Sequence, residues 1–164
     1  MPSSSDIAIP EALRTLRTSP LFVMRLEVPP YQVIGATPVG FRRVGLVPGG
    51  TFEGERLKGR ILEGGNDWMT VLPDGSTLLD VRLVLKTDDG AMIAMTYRGI
   101  RHGPADVLAR LNQGEILDPA QYYSRINPLF ETADARYAWL NTLLGIGIGY
   151  RYSGGVMYGV FQVL

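Results

Sequence analysis

Cysteine is absent from this 164-residue chain, and histidine occurs once, at His102. Without cysteine there are no disulfides, no thiolate nucleophile and no thiolate zinc site. A single histidine rules out paired-histidine metal motifs. Lysine is scarce too: only Lys58 and Lys86 occur, so the rest of the 16 basic residues are arginine, which tolerates partial burial and grips carboxylates through two parallel hydrogen bonds. Neither sign of charge is in excess, since Asp and Glu also total 16, and Arg42-Arg43 is the only adjacent basic pair. Phosphate neutralisation supplies most nucleic-acid affinity, so this balance argues against a nucleic-acid partner. No apolar run is long enough to span a membrane, and residues 1–20 lack the basic and apolar regions of a signal peptide. The expectation is a cytoplasmic protein with no metal, no cofactor and no membrane partner.

What the chain has is glycine, 20 residues of it, with 11 prolines and 46% hydrophobic residues. A domain of this length buries roughly two thirds of its unfolded surface, enough for a core without staples. Residues 1–20 read as an extension, with Ser3 to Ser5 in a loose terminus and a short helix from Pro10 to about Arg17. Residues 21–164 read as one domain. Leu21 to Val28 alternates with period two, the mark of a half-buried strand. Strand candidates follow at Phe41–Val47, Thr51–Phe52, Leu57–Leu62, Asp67–Leu72, Thr77–Lys86 and Ala91–Arg98, separated by turn sequences such as Pro73-Asp74-Gly75 and Asp88-Asp89-Gly90. Tyr122–Asn127, Gly147–Arg151 and Val156–Val163 complete the set, and Pro104–Leu111 and Thr132–Leu144 read as helices, the latter with Thr132 as N-cap. The chain is therefore expected to be mainly β, with two or three short helices.

Several residues carry candidate chemistry. Asp80 and Arg82 share one face of the Thr77–Lys86 strand while Leu79, Val81, Leu83 and Leu85 share the other. That pattern fits an aliphatic core with a wet outer face, and equally a polar-lined cavity with a covered exterior; periodicity leaves both open. Asp67 beside Trp68 fits a carboxyl whose pKa is raised in an apolar pocket, or a turn cap followed by a core indole. Tyr97, Tyr122, Tyr123 and Arg125 form an aromatic and basic group able to contact a ligand, or ordinary strand aromatics. His102 sits in loop composition, better read as a surface histidine than as a general base. Gly145, Gly147 and Gly149 follow a helix rather than opening one, so they fit close strand packing and not a dinucleotide fingerprint.

The segments together resemble a bacterial family, the domain of unknown function numbered 3237. The matching stretches include Gly40-Phe41-Arg42-Arg43, Gly49-Gly50-Thr51-Phe52-Glu53-Gly54 and Gly64-Gly65-Asn66-Asp67-Trp68. They continue with Leu79-Asp80-Val81-Arg82, Tyr123-Ser124-Arg125 and Tyr137-Ala138-Trp139-Leu140-Asn141; Ser124 departs from an expected aromatic. The resemblance implies a closed antiparallel barrel of calycin-like type, similar to allene oxide cyclases and dirigent proteins, and implies no established activity.

From these residues the expected function is small-molecule handling inside the barrel: a cofactor-independent lyase, isomerase or cyclase for a small aromatic or carbonyl-bearing metabolite. Asp67 or Glu53 would move the proton and Arg82 would hold the oxygen, with Trp68, Asp80, Arg42, Tyr97, Tyr123 and Arg125 contacting the ligand. The alternatives are a non-catalytic carrier or sensor using the same cavity, and a solidly packed barrel acting through oligomer surfaces. A homo-oligomer is compatible with the two-sided apolar strand at Val156–Val163.

Overall fold

The structure is a computed structural model and describes residues 9–164. The expected loose stretch at Ser3 to Ser5 lies outside that range. The helix expected from Pro10 shrinks to one exposed 3-10 turn, Glu11–Leu13, whose N-cap makes no side-chain hydrogen bond. Strand β1, Thr18–Glu27, starts three residues earlier than expected and runs directly into the barrel. Then come β2 (Gln32–Thr37), β3 (Gly40–Val47), β4 (Gly50–Glu53), β5 (Lys58–Ile61), β6 (Gly65–Val71), β7 (Thr77–Thr87) and β8 (Met92–His102). Helix α1 (Ala105–Asn112) leads to β9 (Tyr123–Glu131), β10 (Gly145–Tyr152) and β11 (Gly155–Val163).

The sheet closes. In the order β7-β5-β4-β1-β11-β10-β9-β8, antiparallel pairing returns to β7, giving an eight-stranded barrel. The edge of β7 is shared: its C-terminal end pairs with β5 (Ile61 opposite Leu85) and its N-terminal end with β6 (Asp67 opposite Val81). Strands β3 and β2 continue outward from β6 as a flap. Strand β2 was not legible in the sequence, because Gln32, Val33 and Ile34 are all exposed and leave no alternation. Among the described residues no helix is long and apolar enough to cross a membrane, which says nothing of strands.

Alternation on β7 settles which face is inside. Leu79, Val81, Leu83 and Leu85 are buried, while Asp80 and Arg82 are exposed. Leaving both charged groups in water avoids the desolvation cost of burying them. The reading of these two as cavity-lining residues is thereby corrected.

One end of the barrel is solid. Phe22 meets Phe52 and Phe130 edge to face, with centroids 5.6 and 5.9 Å apart, and Met24, Leu85, Ile93, Met95 and Leu140 are fully buried. The segment expected as a helix from Thr132 is a 3-10 helix, Ala135–Thr142, with Asp134 accepting the N–H of Arg136. Thr132 is not its N-cap. Its N–H donates to Asn141 Oδ1, Asn141 Nδ2 returns a bond to the Thr132 carbonyl, and its hydroxyl donates to the Met92 carbonyl. These bonds tie both ends of the segment together and hold it in tight turns that seat Tyr137 and Leu140 in the core. The opposite end is covered by α1, whose Val107, Leu108 and Leu111 pack with Leu117 and Tyr122.

Candidate functional site

Under α1 the barrel is not filled. A cavity of about 50 Å3 lies among residues of both the barrel and the flap, including Val47, Asp67, Val81, Tyr97, Arg101 and Tyr158. A volume of that size holds a few waters or the head of a small molecule. Three glycines lie on the inner face of β10, outside the cavity wall. A Cβ on Gly145 would come 2.6 Å from the Pro128 ring, and one on Gly147 2.6 Å from Ile126. One on Gly149 would collide with the Ser124 hydroxyl and lie 2.7 Å from the Tyr158 ring. The run is therefore a device for close packing of β10 on β9 and β11, as its failure to open a helix implied.

Asp67 reaches the cavity from β6 because β6 alternates Gly65, Asp67 and Met69 inward against Trp68 outward. Its Oδ1 accepts the backbone N–H of Asp80 at 3.1 Å, across the β6–β7 pair. Burial pushes its pKa up to about 6; the hydrogen bond from Asp80 and the charges of Arg101 and Arg43 restrain the rise. A carboxyl poised there exchanges protons readily near neutral pH.

Around it stand phenols and guanidiniums. Tyr97 and Tyr158 are buried with rings edge to face at 5.8 Å, and burial pushes both phenols well above their ordinary value. They are neutral hydrogen-bond donors at any physiological pH. Tyr31, between β1 and β2, accepts a 2.9 Å hydrogen bond from Arg151 Nη1 and lies 4.5 Å below the Arg43 guanidinium. Burial alone would raise its phenol, but the charges of Arg151, Arg101 and Arg43 and the bond from Arg151 outweigh it and hold the pKa below the usual value. The backbone of Arg151 is fixed in turn by a 3.0 Å bond to the Tyr122 hydroxyl.

The residues singled out from sequence divide cleanly. Asp67, Tyr97 and Tyr122 line the cavity. Arg42, Trp68, Asp80, Tyr123 and Arg125 instead converge outside the barrel, on a groove of about 900 Å3 over β6 to β10. Arg42 Nη1 bonds Thr70 there, and the Arg125 guanidinium lies 4.7 Å from the Tyr123 ring. Glu53 and Arg82 are exposed and belong to neither group, so the structure does not bring them to Asp67. His102 is at the surface, with Nδ1 3.2 Å from the Ser76 hydroxyl. The cavity residues that sequence reasoning misses are Tyr31, Arg101, Arg151 and Tyr158, with Arg43 packed over Tyr31 beside them. Among the described residues no three His, Asp or Glu side chains gather as a metal site.

Fold and cavity together define a closed antiparallel β-barrel with one solid end and one hollow end lined by carboxyl, phenol and guanidinium groups. The chain belongs to the family described as "Protein of unknown function (DUF3237)", whose model matches residues 16–163. It is 34% identical over 150 residues to UPF0311 protein RPA1785 from Rhodopseudomonas palustris, covering 92% of this chain and 98% of that one. The crystal structure of RPA1785 superposes with a TM-score of 0.89, at 34% identity, over 92% of this chain and 99% of that one. A beta-barrel like protein, ABAYE2633 from Acinetobacter baumannii, is 38% identical with a TM-score of 0.80, over 92% and 97% of the two chains. An enzyme from Penicillium herquei, 21% identical with a TM-score of 0.67 over 91% and 95%, shares the fold alone.

Proposed function

We propose that the hollow end handles a small aromatic or carbonyl-bearing metabolite, with Asp67 as the proton-transfer group of a cofactor-independent lyase, isomerase or cyclase. One observation carries this reading: a carboxyl with a pKa near 6 shares a cavity with two neutral phenols and a guanidinium. The carboxylate form takes a proton from an acidic C–H or O–H of the substrate. The developing negative charge on the substrate oxygen is met by a hydroxyl of Tyr97 or Tyr158 and by Arg101. Donors held in place before reaction stabilise such charge without reorganising. The protonated Asp67 then returns the proton, to a second carbon in an isomerisation or to the departing oxygen as its C–O bond breaks in an elimination.

A carrier or sensor reading has its own support, since the guanidinium cluster could hold an anion with no proton transfer. The two separate experimentally. A thermal-shift screen of small aromatic and carbonyl compounds identifies binders, and each binder is then followed by mass spectrometry for conversion. Conversion by the native protein that disappears in Asp67→Asn, with binding kept, supports the enzyme. Binding without conversion in either protein favours the carrier.

A further inference from the structure

Two guanidiniums line the cavity, Arg101 from β8 and Arg151 from β10, and a third, Arg43 from β3, packs over Tyr31 beside it with its Nη2 3.4 Å from Asn112 Oδ1. Arg43 and Arg151 lie 4.5 and 6.0 Å from the Tyr31 ring, and Arg101 lines the same cavity as Tyr31 and Asp67. Against the two cations in its wall the cavity offers, among the described residues, a single carboxyl, Asp67. The ion pairs among the described residues all lie elsewhere, at Arg14, Arg110 and Arg136. Among the described residues the Nε atoms of Arg43 and Arg101 are buried and find no hydrogen-bond partner.

This arrangement is costly for an empty barrel. Like charges crowd together in a medium that screens poorly, and a buried donor without an acceptor forfeits its hydration. A structural ion-pair network would bring an acid for each base. Here one acid faces two bases and the Arg101 Nε is unfilled, so the site is complete only with an anion supplied from outside. A guanidinium fork matches the planar, two-oxygen geometry of a carboxylate. The small free volume and the aliphatic wall of Leu26, Val47 and Val81 favour a short organic acid over a bulky polyanion.

We propose that Arg101 and Arg151, flanked by Arg43 over Tyr31, form a seat for the carboxylate of a small organic acid, so that the metabolite handled beside Asp67 is a carboxylic acid. The inference rests on the hollow end being the working site. It sharpens the substrate class to acids whose reacting carbon lies a bond or two from the carboxylate, within reach of Asp67. Tyr31, held by Arg151, closes over the seat as a positioning residue.

Pyruvate serves as the probe, with pyruvamide as its uncharged isostere and inorganic phosphate as a competing anion. Saturable binding to the native protein is read by NMR chemical-shift titration. Pyruvate is expected to bind at least tenfold more tightly than pyruvamide and than phosphate. Arg101→Gln and, separately, Arg151→Gln are each expected to weaken pyruvate binding tenfold or more, with Arg101→Gln leaving the fold's melting temperature equal or higher. Asp67→Asn is expected to keep or improve that binding, because it removes a competing negative charge. Equal affinity for pyruvamide, unchanged binding in both arginine variants, or a preference for phosphate would each overturn the carboxylate seat. Failure of the acid–base reading shows differently, as substrate turnover that survives in Asp67→Asn.

Discussion

Replacing Asp67 with asparagine should stabilise the protein, and by an amount that grows with pH. The side chain keeps its acceptor for the Asp80 N–H, so the β6–β7 pairing survives. What disappears is a carboxyl whose pKa is raised from 3.8 to about 6 in the fold. Between those two values the folded protein binds more protons than the unfolded chain, so stability falls as pH rises through that window and is level above it. Linkage at about 1.4 kcal/mol per pKa unit gives a cost of about 1.6 kcal/mol at pH 5 and about 3 kcal/mol at pH 7. For a chain of this size about 3 kcal/mol corresponds to a rise in Tm of roughly 6–12 °C. Thermal unfolding of native and Asp67→Asn proteins, followed by circular dichroism from pH 4 to 8, reads the difference directly. A difference of only about 0.6 kcal/mol near pH 4, rising to a plateau above pH 6, is expected. A variant less stable than the native protein at pH 7, or a difference that shrinks as pH rises, would refute the reasoning.

Other perturbations separate the two ends of the barrel and its two faces. Gly149→Ala forces a methyl against Ser124 and Tyr158 and should cost about 1–3 kcal/mol in urea unfolding while abolishing ligand-induced stabilisation. Phe52→Ala, in the solid end, should cost about 3–5 kcal/mol by the same measurement and leave ligand affinity within twofold. Glu53→Gln and Arg82→Ala remove exposed side chains, so each should change stability by less than about 0.5 kcal/mol and leave turnover of any identified substrate unchanged. Turnover itself should rise with pH through about 6 as Asp67 ionises, an inflection to be sought in the pH dependence of kcat/KM.

The barrel was legible because its signals are local. Turn sequences such as Pro73-Asp74-Gly75 mark hairpin ends, with Gly75 at φ +84° where a side chain would be strained, and period-two runs mark the strands between. The site was legible only in part, since alternation tells faces apart without saying which faces water. Arg42 was selected and Arg43 passed over, yet β3 turns Arg42 toward Thr70 outside and Arg43 toward Tyr31. Arg101 escaped notice because β8 was ended at Arg98. Extended by the same period, Ile93, Met95, Tyr97 and Gly99 lead to Arg101 on the inner face. On β10 the inward glycines Gly145, Gly147 and Gly149 lead in the same way to Arg151. The convergence of Tyr31, Arg43 and Arg151 was beyond reach, because it depends on three segments far apart in the chain and on a flap strand with no sequence signature.

The central claim is that Asp67 is a proton-ready carboxyl held inside the hollow end. A 13C NMR titration of its carboxyl carbon, assigned by the resonance lost in Asp67→Asn, measures that property without a substrate. An inflection near pH 6 is the result that follows from its burial among Tyr97, Tyr158 and Arg101. An inflection near the ordinary aspartate value of 3.8 would contradict it.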